Sequence, residues 1–302
     1  MKKLICALSL SFLFFGSQAP ANPLSPEAEN VFEVLSTYYA TDNMPIDAML
    51  SKGVSTDLGT TFEVKFRGYD REWVTGRLEI PKGVQKPAVV ILLHGLTQSK
   101  DQWWREEGQY SFPSQHRKTL VENGVAVLAL DARNHGDRKE AKDFEDPYTY
   151  VKKQYFEAGS KMISETALDV RRAIDFLEAQ GTVDTNRVGV AGFSLGGHIG
   201  WIASSVDHRI DRALIMAMPI IGNGPDLSPR FTEQQLYYPG LKDTPVMMII
   251  ATDDIFYTVQ SATKVFDGLI SKDKELVIIE GPHDLPISSA EYSKSFLADK
   301  LK

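Results

Sequence analysis

From residue 88 onward, short and wholly apolar runs alternate with longer stretches of helical spacing. Residues 88–93, 125–130, 188–193, 213–218, 246–251 and 276–280 are the apolar runs. Unbroken apolarity, in place of a polar–apolar alternation, is what strands buried on both faces require. Between them, residues 111–122, 159–179, 196–205, 259–270 and 287–301 carry apolar positions at helical spacing. Earlier, residues 24–39 predict an amphipathic helix behind a proline-rich start. Residues 61–67 and 73–80 flank Gly68-Tyr69-Asp70 and predict an antiparallel hairpin. The pattern as a whole predicts an α/β fold: a mostly parallel central sheet, an antiparallel N-terminal hairpin, and helices on both faces. In such a sheet functional residues collect at the carboxyl ends of the strands, which directs the search for chemistry to one edge.

The first residues do not fit that pattern. Lys2 and Lys3 precede an apolar run over residues 4–15, and Ala19-Pro20-Ala21 reads as an A-x-A cleavage site. This predicts a signal peptide over residues 1–21, a mature chain starting at Asn22, and a periplasmic or secreted protein. The apolar run is shorter than the roughly 20 residues a bilayer span needs, so no stable membrane anchor is expected after cleavage. The single cysteine, Cys6, would leave with the leader, and the mature chain would hold together without disulfides. Residues 22–60 then form an N-terminal helical segment and residues 61–302 one large domain. The net charge of −7, with no basic cluster, disfavours nucleic acid and anionic lipid as partners.

Gly192-Phe193-Ser194-Leu195-Gly196 matches G-x-S-x-G and stands directly between a predicted strand and a predicted helix. A serine on a sharp strand-to-helix turn projects its hydroxyl above the sheet edge. The glycines let neighbouring backbone approach without a Cβ in the way. The following helix aims its free N–H groups at any negative charge developing there. A dinucleotide fingerprint is a rival reading of a glycine-rich turn, but Ser194 occupies the place its third glycine would need.

A serine hydroxyl needs a base. His283 follows the last predicted strand and so lies on the same edge as Ser194; His94 and His135 also follow strands. His198 falls one turn into the elbow helix, and His116 and His208 read as helix-surface residues. The acid should follow another strand. Asp253 and Asp254 both do, and only one of two neighbours in extended chain can face the base; Asp254 is taken as the acid and Asp253 as a turn residue. For oxyanion donors the backbone N–H groups of Leu195 and of Leu96, in the turn after the first parallel strand, are the candidates. His94 would brace that turn by hydrogen bonding.

These motifs together resemble the α/β-hydrolase superfamily, in particular bacterial esterases similar to dienelactone hydrolases and the hydrolase domain of prolyl oligopeptidases. Leu93-His94-Gly95-Leu96 resembles the family's oxyanion turn, and residues 190–197 its nucleophile elbow. Asp131-Ala132-Arg133-Asn134-His135-Gly136-Asp137 resembles its D-x-R-x-H-G element, which implies a structural role for His135. The family's G-x-x-D pattern falls again on Asp254, with Ala251 at the glycine position. The resemblance covers about residues 61–302.

The implied chemistry is hydrolysis of a small-molecule carboxylic ester through an acyl-enzyme, with Ser194, His283 and Asp254 as triad and no metal or organic cofactor. Two rival readings are a peptidase of the prolyl-oligopeptidase type and an inactive hydrolase fold used for binding. Residues 218–244 form an insertion rich in proline, glycine and aromatics, suited either to a small cap over the site or to a surface excursion. Trp103, Trp104 and Tyr257 stand where they could line an acyl pocket or pack locally.

Overall fold

The structure is a computed structural model that describes residues 25–41, 44–139, 147–153, 155–220 and 230–302. The expected signal peptide, with Cys6 and the cleavage site, lies outside the described residues, as do residues 221–229 of the expected cap. The elements, in chain order, are α1 (Pro26–Tyr38), β1 (Ala48–Leu50), β2 (Val54–Ser55), β3 (Gly59–Arg67), β4 (Trp73–Pro81), β5 (Val89–Leu93), α2 (Phe112–Glu122), β6 (Ala126–Leu130), α3 (Pro147–Lys152), α4 (Phe156–Gln180), β7 (Val188–Phe193), α5 (Leu195–Val206), β8 (Ile210–Met216), β9 (Val246–Ala251), α6 (Val259–Gly268) and β10 (Lys274–Ile279).

Among the described residues the strands form one sheet in the order β1-β3-β4-β6-β5-β7-β8-β9-β10, with β2 paired to β3. The hairpin β3–β4 is antiparallel, and β4 runs antiparallel to β6. From β6 to β10 every pair is parallel. The all-apolar composition of β5 follows from its position inside this sheet. Val89, Ile91 and Leu93 enter the core beneath α4 and α5, while Val90 and Leu92 enter the core on the α2 face. Phe176 of α4 stacks on Phe66 of β3, ring centroids 4.9 Å apart, and ties the long helix to the antiparallel end of the sheet.

Two expectations need correction. Residues 287–301 do not form one α-helix: a 3₁₀ turn spans Ile287–Ala290 and a π-turn spans Ser293–Ala298. His116 is not a surface residue but fully buried. It lies on one stripe of α2 with Phe112 and Leu120, four residues to either side, and that stripe faces the core. Ser289 donates to the Pro286 carbonyl and so accepts from His116 Nε2 (3.0 Å), while the Ser293 hydroxyl meets Nδ1 at 2.7 Å. The irregular C-terminal turns thus carry the two hydroxyls that satisfy a buried imidazole.

The segment after β6 is held by buried charge. Asp131 receives the Lys100 backbone N–H and ammonium (2.9 and 3.0 Å) and the Thr75 hydroxyl (2.6 Å). Burial alone would raise the Asp131 carboxyl, but the Lys100 charge and these donors hold it below its usual value. Arg133 and Arg138 converge on Asp169 of α4 at 3.0 and 2.9 Å, and Arg133 also meets Glu165 at 2.6 Å.

Acid lability follows from the buried imidazoles. Burial holds His116 and His135 at about 3 and His198 at about 4, and it lowers His94 as well. An unfolded imidazole takes up a proton below about 6.5, so the unfolded chain binds more protons and stability is lost as pH falls from there. By pH 5 each of the three costs about 2 kcal/mol, together a large part of the 5–15 kcal/mol of a typical domain. We therefore expect a steep fall in Tm between pH 6.5 and pH 5. A melting temperature unchanged down to pH 4 would contradict this account.

Candidate active site

Ser194 joins β7 to α5 at φ 55°, ψ −118°, a backbone conformation that side-chain-bearing residues rarely adopt and that marks strained functional turns. The turn is possible because two glycines permit backbone contacts that no other residue would. A Cβ on Gly192 would lie 2.1 Å from the Gly196 carbonyl oxygen, and one on Gly196 would lie 2.1 Å from that of Leu93. Ser194 N–H is anchored on Met216 O at 2.8 Å, which fixes the turn to the end of β8.

The three expected side chains meet at this edge. His283 Nε2 lies 2.9 Å from Ser194 Oγ, and Nδ1 lies 2.6 Å from Asp254 Oδ2. The Asp254 carboxylate is wholly buried, and its other oxygen accepts the Phe256 N–H at 2.8 Å. Asp253 is exposed and holds the turn through its N–H on Gly281 O. Ser194 and His283 are only 6% and 7% exposed, so the hydroxyl and imidazole stand in a place largely sheltered from water. The imidazole is walled by Phe256 and Phe193, centroids 4.7 and 5.0 Å away.

The two oxyanion candidates come from the elbow and from the turn that packs against it. Leu195 is the first residue of α5, so its N–H has no carbonyl within the helix to bond. Gly95 packs against the serine, a Cβ built on it falling 3.6 Å from Ser194 Cβ. Among the described residues no protein hydrogen bond takes the next N–H, that of Leu96. His94 braces this turn. Its Nε2 accepts the Ala132 N–H at 3.0 Å, which leaves the proton on Nδ1 to reach Gly95 O at 2.8 Å. His135 does the same one loop away, accepting Thr97 N–H and meeting Arg133 O.

The remaining positions resolve less as expected. Trp103 is fully buried in the α2-side core, and the Trp104 ring lies under the Arg77 and Arg117 guanidiniums, so the contacts seen for these aromatics are local packing. Tyr257 is buried behind the acid, its hydroxyl accepting the Ala251 N–H at 2.9 Å. Within the insertion, the 3₁₀ turns Arg230–Thr232 and Gln234–Leu241 pack on α5 through His198 Nε2 to Thr232 O and Trp201 Nε1–H to Gln234 O. Residues that sequence reasoning passed over are Gln102, Tyr110 and Asp284. Gln102 and Tyr110 sit in loops without periodicity, and nothing local in the chain foretells their contacts.

The sheet order and the strand-to-helix serine define the architecture of an α/β hydrolase. A model of the alpha/beta hydrolase family matches residues 90–269, more than half of the chain, and the chain belongs to that family. Among solved structures, a cold-adapted esterase from an Arctic intertidal metagenomic library aligns with a TM-score of 0.64 at 22% identity, covering 86% of this chain and 100% of that one. Acetyl xylan esterase 1 of Thermoanaerobacterium sp. JW/SL YS485 aligns with a TM-score of 0.67 at 14% identity, covering 93% and 95%. At these identities the likeness is one of fold. The Bacillus subtilis (strain 168) protein YtaP is 30% identical over 91 residues, a match spanning 30% of this chain and 29% of that relative.

Proposed function

We propose that the protein hydrolyses carboxylic esters of small molecules through an acyl-enzyme on Ser194. The observation that carries this reading is the unbroken chain Asp254–His283–Ser194, at 2.6 and 2.9 Å, at the N-terminus of α5. Ser194 Oγ attacks the acyl carbon as His283 Nε2 takes its proton. Asp254 holds the imidazole in the tautomer with Nε2 free and stabilises the imidazolium that forms. The two backbone N–H groups receive the charge that moves onto the carbonyl oxygen. His283 then protonates the departing alcohol, and the same imidazole activates water to free the acid. That several fold neighbours are named as esterases agrees with this chemistry.

The test is covalent labelling of the full chain with a fluorophosphonate probe, followed by peptide mapping. Label is expected on Ser194 alone, together with turnover of short-chain p-nitrophenyl esters. Absence of label on folded protein would identify a binding module instead. Expression of the full-length gene product in bacterial cells bears on export: the labelled form recovered should begin at Asn22 and be found outside the cytoplasm, whereas a cytoplasmic form retaining residues 1–21 would end that part of the reading.

A further inference from the structure

Gln102 is fully buried in the 3₁₀ turn Lys100–Trp104, where an unpaired amide would be costly. Its Oε1 accepts the Gly95 N–H at 3.0 Å, and its Nε2 donates to the Tyr110 carbonyl at 3.5 Å. Each contact leads to the reacting edge. Tyr110 donates its own N–H to Asp284, next to His283, at 3.0 Å, and its ring lies 6.2 Å from the imidazole. On the other side, the Gly95 carbonyl is held by His94 Nδ1 (2.8 Å) and by the Gln98 N–H (3.1 Å). The Gly95 carbonyl and the Leu96 N–H belong to one planar trans peptide, so they point in opposite directions. Fixing the Gly95 residue at both its N–H and its C=O therefore fixes where the Leu96 N–H is aimed.

We propose that Gln102 is a positioning residue that aims the Leu96 N–H at the oxyanion and ties that turn, through Tyr110, to the loop carrying His283. The inference rests on the reading of Ser194 as nucleophile. Gln102 touches no substrate, and its own location is rigid. Lys100, two residues before it, is pinned to Asp131 by both backbone and side chain, and Trp103 beside it is in the core. Losing an oxyanion donor outright costs about 10²–10³ in rate, and misdirecting one should cost about 10–100-fold. The loss should fall on the transition state and spare ground-state binding.

The experiment compares Gln102→Met and Gln102→Leu, which keep bulk but lose both hydrogen bonds, with Gln102→Glu, which keeps an acceptor for Gly95. With p-nitrophenyl acetate, Met and Leu should lower kcat by about 10–100-fold with KM within about twofold. Affinity for phenylboronic acid, which forms a tetrahedral adduct on the serine, should fall by a similar factor, and Glu should recover most of both. A folded Met or Leu variant with wild-type kcat, or one whose loss is all in KM, overturns the proposal. Wild-type protein gives a check independent of folding: the Gly95 amide should be strongly protected from hydrogen exchange, and free exchange would overturn the proposal too. If wild-type protein labels at Ser194 while the variants match it in rate, this inference alone fails; if Ser194 does not label, the reading beneath it fails.

Discussion

Ser194→Ala is expected to lower turnover of p-nitrophenyl acetate by about 10⁶, the loss seen when the nucleophile of a serine triad is removed. On the proposed mechanism the hydroxyl is the atom that forms the bond to the acyl carbon. The fold should survive, since alanine is smaller and the elbow is fixed by Gly192, Gly196 and the Ser194 N–H on Met216 O, none of which involves the side chain. A melting temperature within a few degrees of wild type, with turnover down about 10⁶-fold, is the expected pair of results. Near-normal activity in the folded variant would end the assignment. Activity in the variant should still exceed the uncatalysed rate, because the Leu96 and Leu195 N–H groups remain.

Asp254→Asn should lower kcat by about 10⁴. The structure shows why an isosteric change is so damaging here. One oxygen of the carboxylate accepts the Phe256 N–H, and this dictates how an amide would sit: its oxygen must stay on Phe256, and its NH₂ must face His283. The imidazole would then accept at Nδ1 and carry its proton on Nε2, the atom 2.9 Å from the serine. A protonated Nε2 cannot take the serine's proton. The double variant with Ser194→Ala should be no slower than Ser194→Ala alone, because acid and base act only through the nucleophile. Single-variant activity within tenfold of wild type would mean that Asp254 does not govern the imidazole.

Much of this site can be read from the chain because parallel strands impose an order on it. Strands β7 and β9 run over the residues expected, and each delivers its residue of interest within three positions of its end, while β10 delivers His283 four positions after its own. The elbow is local: its glycines and serine are consecutive, so the close approaches they permit are implied by spacing. Other features depend on contacts between distant segments. His116 looks polar and exposed until Ser289 and Ser293, more than 170 residues away, supply its partners. Gln102 has no periodic neighbour to mark it, and its meaning comes from a turn seven residues earlier and a loop eight residues later. For Trp103 and Trp104 the sequence leaves pocket lining and local packing both open, because the core and the arginines that they pack on come from other segments. Strands β1 and β2 are short additions at the sheet edge with little apolar signal of their own.

The imidazole comes after β10, the strand at one edge of the sheet, whose backbone pairs only with β9 among the described residues. On the proposed mechanism, a chain that has built the elbow and the Gly95 turn but has not docked that strand should turn over no ester, however native the rest may be. Recovery of ester turnover during refolding should lag any spectroscopic sign of the inner sheet, and enzymatic rate becomes a clock for the closing of the last edge.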